Sequence, residues 1–92
     1  MDTHWTVYIL YSTQYHRHYI GVTSNIEQRI TMHNKRKVKS TKPYIPWKVI
    51  YSEEYEDKHE AYKREYYLKS PAGYLEKKKI TDTLHKQYGE IA

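Results

Sequence analysis

The chain contains no cysteine and no phenylalanine, and it has only three glycines and three prolines in 92 residues. Without cysteine it can form neither disulfide bonds nor metal sites built on thiolates. A small domain without disulfides is typical of a reducing compartment. No internal repeat and no low-complexity tract is present. The sequence therefore predicts one small folded domain.

The chain also lacks a long apolar run. Its start, MDTHWTVYIL, carries an acidic residue and a histidine, unlike a signal peptide or a membrane anchor. We therefore expect a cytoplasmic protein with no membrane partner. A chain of 92 residues has room for a single core. We expect the domain to span residues 1–82 and to be followed by a C-terminal tail, residues 83–92.

Basic residues and tyrosine are abundant. Lysine and arginine number 16 against 11 acidic residues, which gives a net charge of +5, and there are 12 tyrosines. A basic chain favours an anionic partner, most commonly nucleic acid, although a protein that is merely basic fits the charge equally well. Tyrosine combines a ring that packs with a hydroxyl that can transfer a proton. Only its position in the fold can distinguish a functional tyrosine from a packing one.

The first part of the chain predicts a β-hairpin. Residues 5–11 and 16–22 are rich in β-branched and aromatic side chains, and the four residues between them are mostly polar. If Tyr8 and Tyr19 lie directly opposite each other, both hydroxyls project from the same side of the sheet. No turn dipeptide fixes this register, so it stays a hypothesis.

A short helix is predicted next. Ser24 and Glu27 have the spacing of a capping box, and the helix should end near Asn34. One sector of this helix holds two apolar and two polar residues: Ile26, Ile30, Arg29 and His33. The polar pair conflicts with a simple amphipathic pattern, which suggests a function for it.

A third strand is predicted for residues 47–55, with Trp47, Val49 and Tyr51 alternating along one face. Ser70 and Pro71 should then begin a last helix that ends near residue 81. Together with the helix described next, the predicted order is β-β-α-β-α-α. The expected fold is an α+β domain in which a three-stranded, largely antiparallel sheet is flanked by helices.

The segment DKHEAYKREYYLKS predicts the second helix, with a capping box between Asp57 and Glu60. Glu65 falls about one turn from both Ala61 and Leu68 on this helix. A carboxylate therefore lies where a hydrophobic residue is expected.

Each unusual polar residue has an ordinary explanation when it is taken alone. Strand tyrosines usually pack, Arg29 could be solvated, and Glu65 could pair with a neighbouring cation. Burying all of them without purpose would leave several unpaired groups, each costing about 1–3 kcal/mol. Together they meet the needs of phosphodiester hydrolysis. A carboxylate can hold a divalent cation, an arginine can neutralise phosphate charge, and a tyrosine or histidine can relay a proton.

Residues 6 to about 80 resemble the GIY-YIG nuclease family, especially its small stand-alone members related to the nuclease domain of excision-repair proteins. The resemblance rests on five segments in the expected order: Thr6-Val7-Tyr8, Tyr19-Ile20-Gly21, NIEQRITMHN, IPWKVIYSEEYED and HEAYKREYYLKS. The chain departs from the family at Thr6, where the first motif begins with glycine.

The resemblance implies a catalytic role for each of five residues. Tyr8 would be the general base, Tyr19 would orient water or phosphate, and Arg29 would hold the scissile phosphate. His33 would assist proton movement, and Glu65 would be the sole protein ligand of one Mg²⁺ or Mn²⁺, with no small-molecule cofactor. A free tyrosine has a pKa of about 10, so the base needs nearby positive charge, which Arg29 and the metal could supply.

The implied activity is divalent-metal-dependent hydrolysis of DNA. Cleavage would be directed by DNA structure or be only weakly sequence-specific, and DNA repair is one setting for it. Phosphate contacts would come from the basic loop after the first helix: Lys35, Arg36, Lys37, Lys39 and Lys42. One alternative is a basic nucleic-acid-binding module with an inactive site. Another is a protein-interaction domain that uses Tyr62, Tyr66 and Tyr67.

Overall fold

The computed structural model describes residues 4–87, with side chains described as far as residue 83. Its regular elements follow the predicted order and confirm the α+β fold. They are β1 (Trp5–Ser12), β2 (Arg17–Thr23), α1 (Ile26–Asn34), β3 (Trp47–Tyr55), α2 (Lys58–Lys69) and α3 (Tyr74–Gln87), with 3₁₀ turns at Lys42–Tyr44 and Pro71–Gly73. The sheet is antiparallel with strand order β2-β1-β3.

The hairpin register differs from the predicted one. Tyr8 pairs with Gly21 and Tyr19 pairs with Leu10, because β1 continues through Ser12 and the turn begins one residue later. Moving the turn by one residue moves each pairing by two, which leaves every side chain on its original face. Direct pairing of the two tyrosines was therefore wrong, but both rings lie on the same side of the sheet, with centroids 6.4 Å apart.

A β-bulge changes the alternation predicted for β3. The pairing with β1 passes from Ile9–Tyr51 directly to Leu10–Val49, so Ile50 is an extra residue. Trp47 and Val49 therefore face one side of the sheet while Tyr51 faces the other.

Each face of the sheet is covered by helices. The face that carries Tyr8, Leu10 and Trp47, here called the site face, packs against α1 through Ile26 and Ile30. The opposite face, here called the core face, packs against α2 and α3. Its buried residues include Val7, Ile9, Tyr11, Ala61 and Leu68. The central strand β1 is almost completely buried because it contributes alternate side chains to both layers.

The helix ends depart from the predicted capping in two places. Asn25, rather than Ser24, caps α1 by accepting a hydrogen bond from the backbone N–H of Gln28. Asp57 caps α2 as expected, through the N–H of His59. Ser70 caps the short 3₁₀ turn that precedes α3. Asparagine and serine are about equally good N-caps, so cap preference alone does not favour Ser24 over Asn25.

The last helix is longer than predicted, since α3 continues to Gln87 instead of ending near residue 81. The expected tail therefore begins within a helix, and residues 88–92 lie outside the described part of the chain. Within the described residues, no helix has the length and apolar character needed to cross a membrane.

Candidate active site

A chain of hydrogen bonds runs from β1 through α1 into the following loop. The Tyr8 hydroxyl lies 3.1 Å from Nε2 of His33, and Nδ1 of the same imidazole lies 2.8 Å from Oγ1 of Thr41. All three side chains are almost fully buried. The Thr41 hydroxyl can donate in turn to the Val38 carbonyl, 3.4 Å away.

The direction of these bonds follows from the last link. If the Thr41 hydroxyl donates to Val38, its oxygen accepts from Nδ1–H of His33, which leaves Nε2 as an acceptor. Tyr8 then donates its proton to Nε2. Burial, with Arg29 nearby, lowers the pKa of His33 to about 4. The imidazole is therefore neutral near pH 7 and can accept the hydrogen bond from Tyr8.

The position of Tyr8 depends on Gly21. A Cβ atom at Gly21 would lie 2.5 Å from the Tyr8 hydroxyl oxygen and 2.6 Å from its Cζ. The phenol thus lies across β2 in space that only glycine leaves open. Since β2 is the edge strand of the sheet, this places the reactive end of Tyr8 at that edge.

Arg29 lies on α1 within hydrogen-bonding reach of the Tyr8 and Tyr19 hydroxyls. Its guanidinium does not, however, make Tyr8 acidic. Burial raises the pKa of Tyr8 above its ordinary value of 10, although the hydrogen bond from Arg29 opposes that rise. Without a further positive charge, Tyr8 is a neutral phenol.

Glu65 approaches the same group from α2. Its carboxylate is close enough to Tyr8 to affect the pKa of the phenol. Oε2 of Glu65 pairs with Nζ of Lys69 at 3.0 Å, and that ammonium lies 5.9 Å from the centre of the Tyr19 ring. Glu65 and Lys69 therefore lie beside the edge strand, next to the two phenols.

The structure brings Tyr8, Tyr19 and His33 into direct contact, with the Tyr19 and His33 ring centroids 5.0 Å apart. Arg29 and Glu65 lie near enough to affect the pKa of Tyr8. The structure also explains why polar residues occupy helix positions where hydrophobic ones are expected. Arg29, His33 and Glu65 lie at inward positions because they meet polar partners there.

The donor set suits a weakly held hard cation. Among the residues with described side chains, no three histidine, aspartate or glutamate side chains form a metal-binding group. Glu65 alone offers a carboxylate to an ion whose remaining positions would be filled by water and phosphate, as Mg²⁺ prefers. The residues present fit such an ion.

The basic loop is exposed along its length at Lys35, Arg36, Lys37, Lys39 and Lys42. Its far end is fixed to the site, because Thr41 binds His33 and the Thr41 carbonyl accepts from the Trp47 indole N–H at 2.8 Å. These exposed cations therefore lie on a loop whose far end is joined to the hydrogen-bonded chain at Thr41.

The chain is similar to proteins of a known family. The family model described as the GIY-YIG catalytic domain matches residues 4–79. The chain belongs to the GIY-YIG family. This is a nuclease family whose members generally use a divalent metal ion, so the sequence-based family assignment is confirmed.

The similar proteins include several bacterial ones named UPF0213. One from Limosilactobacillus reuteri (strain DSM 20016) is 39% identical over 66 residues, which are 68% of this chain and 68% of that protein. One from Clostridium perfringens (strain 13 / Type A) is 46% identical over 52 residues, 55% of this chain and 56% of that protein. One from Bacillus licheniformis is 44% identical over 52 residues, which are 55% of this chain and 54% of that protein. The matches thus span from about half to two thirds of these relatives, and the name states no activity. No solved structure matches the chain significantly.

Several residues of the candidate site were not found from the sequence. Thr41 orients His33, and Lys69 is the counter-ion of Glu65. Asn34 fixes the start of β3 by bonding both the N–H and the carbonyl of Trp47. Lys69 could have been found from its spacing of four residues after Glu65. The partners of Thr41 and Asn34 are distant in sequence and carry no local signal.

Proposed function

We propose that this chain is an endonuclease that hydrolyses DNA phosphodiester bonds with one Mg²⁺ or Mn²⁺ held by Glu65. The observation that supports it best is a phenol, Tyr8, hydrogen-bonded to a neutral imidazole and next to both an arginine and a carboxylate. When bound, the ion would supply positive charge beside the scissile phosphate.

A proton path through the chain's own residues follows from the bond directions. Attack by water forms a new phosphorus–oxygen bond and breaks the bond to the leaving oxygen of the strand. The water's proton passes to the Tyr8 oxygen as the Tyr8 proton passes to Nε2 of His33. The leaving oxygen takes a proton from solvent water, and His33 then returns its proton to solvent by the same path, which its lowered pKa favours. Tyr8 never needs to persist as a free phenolate, which matters because burial raises its pKa.

Arg29 would stabilise the phosphate as negative charge develops on it. The guanidinium lies within reach of the Tyr8 and Tyr19 hydroxyls, so it faces the position where the reaction would occur. Tyr19 is only half-buried and lies over His33, which suits a group that orients the water or the phosphate.

DNA is the proposed substrate because of the family and the net charge of +5. The exposed basic loop would contact phosphates irrespective of sequence, which favours recognition of DNA shape or weak sequence preference. Affinity should therefore fall steeply as salt is raised. A cytoplasmic location and a role in DNA repair stay predictions, as does the division into residues 1–82 and a tail.

The test is cleavage of plasmid and branched DNA with Mg²⁺ or Mn²⁺. We expect Glu65→Gln to lower the rate at least about 1000-fold and Tyr8→Phe to lower it about 100-fold or more. Glu54→Gln, an exposed carboxylate of β3, is the matched control and should cut normally. Equal cleavage by wild type and Glu65→Gln would remove the assigned metal ligand.

A second candidate is a nucleic-acid-binding module with an inactive site. One observation favours it: burial raises the pKa of Tyr8, and Arg29 does not reverse that shift. Salt-sensitive DNA binding without cleavage in any divalent metal would support this alternative over the endonuclease.

A further inference from the structure

A line of aromatic rings leads outward from the candidate site along the site face. The ring centroids of Tyr19 and Trp47 are 6.4 Å apart, and those of Trp47 and Tyr44 are 6.5 Å apart. Tyr44 in turn contacts Tyr15 edge to face, with centroids 5.6 Å apart. The line ends at the β1–β2 turn, where Tyr15 is 48% exposed.

An arginine is held at the end of this line. The guanidinium carbon of Arg17 lies 4.3 Å from the centre of the Tyr44 ring. Arg17 is exposed, and it forms no ion pair with any carboxylate in the described part of the chain. Stacking on a ring uses none of the five N–H donors of a guanidinium. Arg17 is therefore held against the Tyr44 ring by a contact that leaves its hydrogen-bonding edge free.

The ring that holds Arg17 is itself fixed to the catalytic residues. Tyr44 ends the 3₁₀ turn that follows Thr41, and its backbone N–H donates to the Thr41 carbonyl at 3.1 Å. The same carbonyl accepts from Trp47, while the Thr41 side chain bonds His33. The position of Arg17 is thus set relative to His33 by a short series of packed and hydrogen-bonded groups.

We propose that Arg17, presented by Tyr44, is a phosphate-binding site for the DNA strand on one side of the scissile bond. The inference rests on the proposed endonuclease function and adds a contact outside the basic loop. A fixed guanidinium can bind a phosphodiester through two parallel hydrogen bonds, whereas the flexible loop lysines act as point charges.

The spacing limits which phosphate Arg17 can reach. Two ring contacts of 6.4 and 6.5 Å separate Tyr19 from Tyr44, and the Arg17 guanidinium lies 4.3 Å beyond. A DNA strand advances about 3.4 Å per nucleotide along the helix axis, so the contacted phosphate lies within about five nucleotides of the cut.

Binding of a short fluorescent DNA duplex over a series of salt concentrations tests the proposal. All variants carry Glu65→Gln so that the DNA stays intact. We expect Arg17→Gln to weaken binding about three- to tenfold and to lower the slope of log K against log salt by about 0.9, the loss of one phosphate contact. Arg17→Lys should keep the slope while binding less tightly than arginine. Tyr44→Leu should also keep the slope but weaken binding about twofold, because the charge remains and its position is lost.

Lys58→Gln is the matched control. Lys58 is another exposed cation over an aromatic ring, 5.2 Å from the centre of Trp5, which packs on the core face. It should change neither affinity nor slope. Unchanged affinity and slope in Arg17→Gln would overturn the proposal. A lower melting temperature with normal DNA binding would also overturn it, because Arg17 would then be a structural link between the 3₁₀ turn at Tyr44 and the β1–β2 hairpin.

The proposed endonuclease function and the proposed Arg17 contact can be disproved independently. If the wild type cuts DNA while Arg17→Gln binds and cuts as well as wild type, only the Arg17 contact is wrong. If the wild type cuts no DNA but its binding depends on Arg17 as described, the endonuclease function is wrong and the phosphate contact stands.

Discussion

The protein contains two clusters built from the same residue types, one at each side of the sheet. At the site face, Arg29 lies with Tyr8 and Tyr19, and Glu65 completes the set. At the core face, Arg64 lies with Tyr51, Tyr55 and two carboxylates. Each has an arginine, two phenols and at least one acid, yet their bonding differs.

In the Arg64 cluster, every charged group meets an opposite charge within the cluster. Arg64 donates two hydrogen bonds of 2.9 Å to Glu53 and one of 2.6 Å to Glu76. Both phenols donate to Glu53, at 2.5 and 2.7 Å. Burial alone would raise the pKa of Glu53, but these hydrogen bonds hold it below the ordinary value. The cluster links β3, α2 and α3, and its charged groups satisfy one another.

In the Arg29 cluster, the arginine meets phenols instead of a carboxylate, and Glu65 is paired only with a half-exposed lysine in the described structure. Its charges are therefore available to a cation and a phosphate. The comparison teaches that residue types alone do not distinguish a candidate catalytic cluster from a structural one. The difference lies in how completely the members satisfy each other's charges and hydrogen bonds.

The two clusters should lose stability in different pH ranges, and this is the largest effect that we predict on stability. Unfolded His33 takes up a proton below about pH 6.5, but folded His33 does so only below about pH 4. Stability is therefore lost as the pH falls from 6.5 to 4, by at most about 3 kcal/mol. Glu53 has a lowered pKa in the fold, so its contribution is lost only below about 4.5, the ordinary carboxyl value.

Urea unfolding of wild type and His33→Gln over this pH range measures the difference. The other histidines are present in both proteins, so their contributions cancel. Parallel curves for the two proteins between pH 6.5 and 4 would mean that His33 is not kept neutral by the fold.

Gly21→Ala should damage the Arg29 cluster alone. The new methyl group would lie 2.5 Å from the Tyr8 hydroxyl oxygen, so the ring must move by about 1 Å and lose its position against His33. We expect cleavage to slow about 100-fold. The measurement is a double-mutant cycle with Tyr8→Phe. If Gly21→Ala slows the Tyr8→Phe enzyme as much as it slows wild type, the effect does not act through the phenol.

Glu53→Gln should instead damage stability. It leaves Arg64 with one charged partner, the exposed Glu76, and replaces one of the two oxygens that accept from the phenols by an NH2 group, at a cost of about 2 kcal/mol since the pair is partly exposed. The pKa of Tyr55, raised to about 12 by burial and by Glu53, should fall towards 10 in a spectroscopic titration. Cleavage at a temperature where the variant is folded should stay within about twofold of wild type. A large loss of cleavage there would place the Arg64 cluster in catalysis.

Lys69→Met should sharpen the comparison by removing the one charge that pairs with Glu65 among the described residues. The ammonium at 3.0 Å competes with any cation for the carboxylate. An exposed pair of this kind contributes about 0.2–1 kcal/mol, so Mn²⁺ should bind about two- to fivefold more tightly. Calorimetry of the protein without DNA measures this, with Lys63→Met, whose partner is Glu60, as control. Equal Mn²⁺ affinity in both variants would show that Lys69 does not compete.

Much of this fold could be predicted from local patterns. The bounds of β3 and the end of α1 agree with the sequence-based expectation because Trp47–Tyr55 is a strong strand pattern and the basic loop follows Asn34. The inward positions of Arg29 and Glu65 followed from helical periodicity. Their catalytic roles came from the family resemblance and stay predictions.

The remaining features depend on contacts that no local pattern encodes. The hairpin register is set by Ser12, which stays in β1 and accepts a hydrogen bond from the N–H of Tyr15 through its hydroxyl. The bulge at Ile50 reflects packing on both faces of the sheet. The effect of burial on Tyr8 could not be weighed against Arg29 until both were placed, and burial proved the larger influence on the pKa.

The bulge in β3 lets one strand serve both clusters. Its first half supplies Trp47 to the layer that contains the candidate catalytic residues, and its second half supplies Tyr51 and Glu53 to the layer that fixes α2. Because of one inserted residue, the first half of this short strand contributes to the candidate catalytic layer and the second half to the Arg64 cluster. A chain of 92 residues can therefore carry both clusters without an additional strand.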